Sequence, residues 1–342
     1  NGLRFPLVFF CSLIFFDYLF NSDLKYYFQR KFSKYLIVFI ILQLPVSIYQ
    51  MIVYRSGDKV GGTFGISGGS GFITQLLFLI TSYILNNKEY NNKSNSYKTS
   101  SIFLSLFFII PTFLNETKIT FLFLIVYAFL IIKSHSKKVL SFGMIFIFAL
   151  VFIIGIKIYN NVQSDFKIQN YFNLKEIENY FYNPTLRFSQ NFNSEELNEN
   201  VDVSRIDKII LLFKIGLISY SELFFGLGYG IMQGQNFLGG SDIGQSLMFL
   251  WYGSQGLLFT TLLQGGIVFT IIISIAIFSF LEKKNISFKN KQNFKIMLFV
   301  VFLTMYIYNQ AILIPFFSIP AAYFIVWARY SDNDFKKIVY KN

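Results

Sequence analysis

Nine apolar runs leave this chain very few ways to fold. They lie near residues 3–20, 35–54, 70–85, 100–114, 119–132, 139–158, 257–281, 295–312 and 313–329. Each reaches or approaches the roughly 17–25 residues with which a helix crosses a bilayer. Such runs have to be helical, because hydrocarbon offers no water to satisfy an open backbone. The alternating ten-residue pattern of an outer-membrane barrel is absent. Composition agrees: 14% of the 342 residues are charged and 54% are apolar, whereas soluble domains carry about 25% charged residues. The expectation is an all-α, polytopic transmembrane helix bundle of about nine spans. The chain opens on Asn1, with no basic segment before its first run and no small-residue cleavage site after it. That run reads as a span and not as a signal peptide. An upstream segment, and with it more than nine spans in the full-length protein, is expected.

The net charge of +12 is unevenly placed. Nucleic-acid binders cluster basic residues among polar ones; here they sit between apolar runs, so no nucleic-acid partner is expected and the bilayer is. Lys25, Arg30, Lys31 and Lys34 follow the first run, and Lys88, Lys93 and Lys98 follow the third. Lys133, Lys137 and Lys138 follow the fifth. Lys283, Lys284, Lys289, Lys291 and Lys295 follow the seventh, and Arg329, Lys336, Lys337 and Lys341 follow the last. These five connections alternate with the others. Placed in the cytoplasm by the excess of Lys and Arg, they hold a net +13 and leave −1 outside.

Residues 159–245 form the single long hydrophilic region, on the outer side, with 10 acidic and 6 basic residues. The organisation expected is N-terminal transmembrane helices in 1–158, a large external loop in 159–245 containing helices, and C-terminal transmembrane helices with a cytoplasmic tail in 246–342. Ile206–Phe225 is apolar but holds Asp207, Lys208, Lys214 and Glu222, which are costly at a bilayer centre. It reads as a helix on the outer mouth of the bundle. The alternative is that 206–225 and 246–264 both cross, giving eleven spans.

Chemistry has to come from few residues. One His, His135, and one Cys, Cys11, exclude a zinc or haem site, and no metal or other cofactor is expected. Outer-side charges are Arg4, Arg55, Asp58, Lys59, Glu116, Lys118, Arg187, Arg205, Lys208 and Asp242. Any one of them alone reads as an interfacial anchor or a solvated loop residue. Two sites stand out. Arg55-Ser-Gly-Asp58-Lys59 leads into Gly61-Gly-Thr-Phe-Gly65, with six glycines between 61 and 71. Such a segment at a membrane boundary lets backbone approach a ligand or fold back into the bundle; the plainer reading is a flexible external turn. It lacks the Lys-Ser/Thr of a P-loop. Asn115-Glu-Thr-Lys118 is squeezed between two short runs after Pro111. Glu116 and Lys118 there are either a structural ion pair or a base beside a cationic phosphate binder.

These motifs, in this order, resemble the bacterial O-antigen polymerase and O-antigen ligase superfamily of integral membrane glycosyltransferases. The resemblance rests on Arg55 to Gly65 and on Asn115 to Lys118. It also rests on Arg205 opening an apolar helix that ends in Gly226-Leu-Gly228-Tyr-Gly230, and on a late span introduced by Gln264-Gly-Gly-Ile267. It covers roughly residues 50–281. It implies transfer of a glycan from undecaprenyl diphosphate to an acceptor hydroxyl at the outer face of a bacterial inner membrane. The product would be O-antigen, capsule or exopolysaccharide. It further implies that Arg55 and Arg205, helped by Lys118, with Arg187, Gly65 and Gly228 as further contacts, bind the diphosphate and substrate. Glu116 is the first choice of general base, with Asp242 and Asp58 behind it. The partners implied are an undecaprenyl-diphosphate-linked oligosaccharide and a chain-length regulator. Ligases of the superfamily typically carry a histidine in the large external loop, and this chain has none there; that favours polymerase over ligase. Many relatives carry proline before the glycine turn, where this chain has Phe224-Phe225. A lipid-linked-sugar transporter is the weaker alternative, because most charges lie at the ends of runs and no internal repeat is evident.

Overall fold

A computed structural model describes residues 4–54, 59–65, 69–86, 107–115, 119–134, 149–150, 152–154, 156–157, 220–228, 256–281 and 289–330. Among them every element is helical and no strand occurs, so the chain is all-α over the described residues. The helices are α1 (Arg4–Asn21), α2 (Lys25–Tyr54), α3 (Ser70–Asn86), α4 (Pro111–Leu114), α5 (Ile119–Ser134), α6 (Tyr220–Phe225), α7 (Leu257–Phe278), α8 (Lys289–Tyr308) and α9 (Pro315–Arg329). Short 3-10 turns cover Gly62–Phe64, Ser279–Leu281 and Ala311–Leu313. By length and composition, Lys25–Tyr54 and Leu257–Leu281 are long and apolar enough to cross a membrane. The boundaries expected at 158/159 and 245/246 lie outside the described residues.

Helix α2 is built inside out for a soluble protein. Its buried face steps by three and four residues through Lys25, Gln29, Ser33, Leu36, Ile40, Gln43, Ser47 and Gln50. Gln43 is 0% and Ser47 1% exposed, while Tyr35 and Ile52 on the other faces are each 69% exposed. Water would select the opposite pattern. Ser33, Gln43 and Gln50 on this face find polar partners inside the protein. Helix α3, by contrast, is buried at every position from Ile73 to Ile84, as expected for a helix apolar all round and enclosed by neighbours.

The chain divides into two compact units. The first takes Ser12–Ile168, Ser279–Val301 and Pro320–Asn342. At one end of it the ends of α1, α2, α3, α5, α8 and α9 meet. The Ser33, Tyr83 and Tyr323 hydroxyls form a buried chain with both links at 2.8 Å. The Trp327 ring packs edge-on against Tyr83 at 4.8 Å and Phe294 at 5.0 Å. Asn293 Nδ2 donates to the Leu130 carbonyl at 3.5 Å. Buried tyrosines keep their ring contacts and find a partner for the hydroxyl as well. Tyr330 donates to Asp17 Oδ1 at 2.9 Å and accepts from Asn21 Nδ2 at 2.6 Å. Arg329 lies 3.5 Å from the same carboxylate, and Lys25 Nζ is 5.5 Å from the Tyr330 ring centre. Burial, reinforced by the Asp17 carboxylate that the phenol faces, pushes the Tyr330 pKa up to about 12.

The second unit takes Asn1–Cys11, Gln169–Phe278 and Phe302–Ile319. Its main feature is a break inside the apolar run 257–281. Gly266 has φ 66° and ψ −168° inside α7, where the helix breaks. Thr261 and Thr270 hydroxyls are 3.1 Å apart across the break, although nine residues of straight helix would separate them by about 13 Å. The first leg therefore folds over the start of the second. Gly256 and Ser274 both meet Tyr306: a Cβ on Gly256 would lie 2.5 Å from its carbonyl oxygen, and its hydroxyl donates to Ser274 Oγ at 2.6 Å. The physical cause is the glycine, since a left-handed φ with extended ψ is closed to other residues.

Candidate functional site

The glycine segment after α2 folds back along the helix it follows. Its 3-10 turn, Gly62–Phe64, packs on the polar stripe of α2 and on α3. Gln50 pairs with both backbone groups of Gly62: Nε2 donates to the carbonyl and Oε1 accepts from the N–H, each at 2.8 Å. Two helical turns earlier, Gln43 repeats the device. Its Oε1 accepts from Thr63 N–H at 3.0 Å, and its Nε2 donates to Thr63 Oγ1 at 2.8 Å and to the Phe39 carbonyl at 3.1 Å. An amide suits this task because one planar group carries both a donor and an acceptor. Gly62 has φ 58°, and a Cβ there would collide with Ile73 Cδ1 and Gln43 Oε1.

The Asn115 turn arrives at the same place. Asn115 Nδ2 donates to the Ser70 carbonyl at 2.9 Å and to Thr74 Oγ1 at 2.8 Å. Ser70 opens α3 directly after Gly69, and a Cβ on Gly69 would lie 3.1 Å from Phe64 Cβ and 3.2 Å from Gly61 Cα. Thr120 Oγ1 closes the neck of the Asn115 turn on the Thr112 carbonyl at 3.0 Å. The two segments singled out in the sequence, 61–65 and the turn opened by Asn115, therefore share the N-terminal end of α3.

The third and fourth motifs also meet each other, in the second unit. Gly226, at φ 75°, ends α6 and donates to the Glu222 carbonyl at 2.7 Å. The next two N–H groups, of Leu227 and Gly228, donate to the Leu263 and Gln264 carbonyls at 2.8 and 3.1 Å. Those are carbonyls that the break at Gly266 withholds from the helix, so the turn repairs what the kink exposes. The fit leaves no room: a Cβ on Gly226 would strike Gln264 backbone, and one on Gly266 would strike Phe224 backbone.

Of the residues expected to do chemistry, Gly65 and Gly228 are described. Both have left-handed φ, 100° and 98°, and open space where a Cβ would stand. Gly65 N–H caps the 3-10 turn on the Gly62 carbonyl at 3.3 Å. Glu116, Asp242, Asp58, Arg55, Lys118, Arg205 and Arg187 lie outside the described residues. Their described neighbours are Tyr54 and Lys59 on either side of Arg55 and Asp58, and Asn115 and Ile119 on either side of Glu116 and Lys118. Lys59 is exposed, with Nζ 5.9 Å from the Tyr54 ring centre.

Sequence reasoning missed Gln43, Gln50 and Asn115 as the groups that hold the site together. The signal for the glutamines was present. Gln43, Ser47 and Gln50 stand at i, i+4 and i+7 in an otherwise apolar run, which puts three polar groups on one helix face. No protein-family model matches the chain, and no curated protein or solved structure matches it.

Proposed function

We propose that the chain is a multi-pass membrane glycosyltransferase that polymerises undecaprenyl-diphosphate-linked oligosaccharide repeat units at the outer face of a bacterial inner membrane. The observation that carries the reading is the convergence of the Gly61–Gly65 turn and the Asn115 turn on one end of α3. Arg55 and Asp58 precede the first of these segments in sequence, and Glu116 and Lys118 follow Asn115. The topology has separate support. Among the described residues, at least one helix end beside each of the five basic connections lies at the other end of the first unit. Helix ends placed so agree with the positive-inside reading of those connections.

In this reading the bond between the sugar C1 and the diphosphate oxygen breaks as C1 bonds to an acceptor hydroxyl. The hydroxyl proton passes to Glu116, with Asp242 and Asp58 as the next candidates. Undecaprenyl diphosphate leaves with its charge, so the main electrostatic need is cations at the leaving group. Arg55, Arg205, Arg187 and Lys118 supply them, with the open glycines Gly65 and Gly228 admitting the substrate to backbone. Arg55→Ala or Arg205→Ala should leave the protein in the membrane while long glycan chains give way to single repeat units on a gel. Chains of normal length in either variant would remove that arginine from the diphosphate site. Ligase activity differs by product, since its loss leaves finished polymer on the lipid carrier.

A lipid-linked-sugar transporter is the second reading. The break in α7 favours it, because discontinuous helices commonly line transporter sites. Uptake of a fluorescent lipid-linked sugar across vesicles, undiminished by Arg55→Ala, would select it.

A further inference from the structure

We infer that the backbone from Lys59 to Gly65 is a re-entrant loop whose tip is held inside the hydrocarbon core, below the outer end of α2, by Gln43 and Gln50. The inference rests on the membrane reading above, and on no enzymatic activity. Helix α2 is its own depth gauge. Lys59 lies beside Tyr54, the last residue of the helix. Gly62 is bonded to Gln50, Thr63 to Gln43, and the Phe64 ring is 6.0 Å from the Phe39 ring. At 1.5 Å per residue these partners lie about 6, 16 and 22 Å below Tyr54. The apolar run 35–54 is itself about 30 Å long, which matches the hydrocarbon core. The Gly62 carbonyl and the Thr63 N–H belong to one peptide group, so that peptide lies between the Gln50 and Gln43 levels, about a third of the way through the core. Five residues from Lys59 to Phe64 span up to about 17 Å, enough for the descent together with the reach of the side chains.

Irregular backbone is tolerated at that depth only where its polar groups are satisfied inside the protein. Gln50 satisfies both groups of Gly62, and Gln43 satisfies the N–H and hydroxyl of Thr63. Gly62 and Val60 are buried, and Gly62 is wedged between Ile73 and Gln43. Asparagine would be one methylene too short, and a carboxylate could not donate. The pair of glutamines, two turns apart on one face, reads as a purpose-built seat for a short loop. A loop seated so deep brings exposed Thr63 and open Gly65 to the core of the membrane, while Lys59 stays at the rim.

Nitroxide depth measurement tests this in vesicles of phosphatidylethanolamine and phosphatidylglycerol, with Cys11→Ser as the parent. Labels are placed at Lys59→Cys, Thr63→Cys and Ile48→Cys, and depth is read from relaxation by oxygen against a water-soluble nickel chelate. Thr63 should lie clearly deeper than Lys59, by up to the roughly 14 Å that four residues can reach. Adding Gln43→Leu and Gln50→Leu should move the Thr63 label outward toward the Lys59 depth. Equal depths at 59 and 63 in the parent overturn the loop, and an unchanged Thr63 depth in the double variant overturns the role of the glutamines. A Phe39→Cys, Phe64→Cys pair, bridged by a short bis-maleimide, tests the same depth with both glutamines intact. Failure to bridge it counts against the loop. If the Ile48 label is in water, the membrane reading falls and the loop with it. Normal glycan chains from Arg55→Ala would sink the polymerase site and leave the loop standing.

Discussion

Two glycine turns dock on long apolar helices in this protein, and they are held in opposite ways. The Gly62–Phe64 turn lies against α2, whose helix is continuous, and its backbone is satisfied by two side-chain amides. The Gly226–Gly228 turn lies against α7, which is broken, and its N–H groups go straight to the Leu263 and Gln264 carbonyls. In one case the helix runs on unbroken past Pro45 and lends glutamines. In the other it gives up its ladder and lends carbonyls. The first arrangement depends on side chains that a point mutation can remove. The second depends only on the absence of side chains at Gly226 and Gly266.

The comparison should break first at those two glycines. A valine at either meets backbone that cannot retreat, and its φ is unfavourable besides, so Gly226→Val or Gly266→Val should cost more than about 3 kcal/mol. Yield and thermal unfolding in detergent measure it; a folded valine variant with an unchanged midpoint would mean the close contact is not formed. The glutamines come next and should differ from each other. Gln50→Leu strands two backbone groups on buried Gly62, at a cost of about 2–4 kcal/mol. Gln43→Leu strands one backbone group, the Thr63 N–H, where Gln50→Leu strands two, and should cost less, about 1–2 kcal/mol. Equal midpoints for the two would show that the bonds to Gly62 carry no special weight.

The smallest effect belongs to the opposite end of the first unit, where a titrating group replaces the neutral amides. Tyr330, with its pKa raised from 10 to about 12, holds its proton more tightly in the folded state. Its contribution is therefore complete below pH 10 and is lost as pH climbs from 10 through 12. Ultraviolet titration of the phenolate against a Tyr330→Phe variant reads this directly. The amide bonds of the Gly62–Phe64 turn have no proton to lose over that range, so the depth of the turn should not follow the change.

Much of this fold was legible in the sequence. The runs 3–20, 35–54, 70–85, 119–132, 295–312 and 313–329 all fall on helices, because uninterrupted apolar residues fix both the helix and its environment. The break at Gly266 was not legible as a break. Gln264-Gly-Gly-Ile267 stands inside an apolar run, and hydropathy is blind to a single positive φ. The meeting of the Gly61–Gly65 and Asn115 segments was not legible either. Asn115 reaches Ser70 and Thr74 across more than forty residues of sequence, and nothing local to Asn115 announces the partner. The glutamine stripe could be read as a buried polar face, but what it holds, 12 and 20 residues downstream, could not.

Those short separations set an order of events during synthesis. Gln50 and Gln43 find Gly62 and Thr63 within 12 and 20 residues, so the polar stripe of α2 can be satisfied almost as soon as the helix leaves the ribosome. The hydroxyl pair of Tyr83 and Tyr323 has to wait for 240 residues, and Asn21 waits 309 for Tyr330. A nascent chain would carry a finished seat for its glycine loop while the far end of the same helices still stood open. Truncation before Tyr323 should therefore leave that far end unsealed, with the Tyr83 hydroxyl lacking its Tyr323 link.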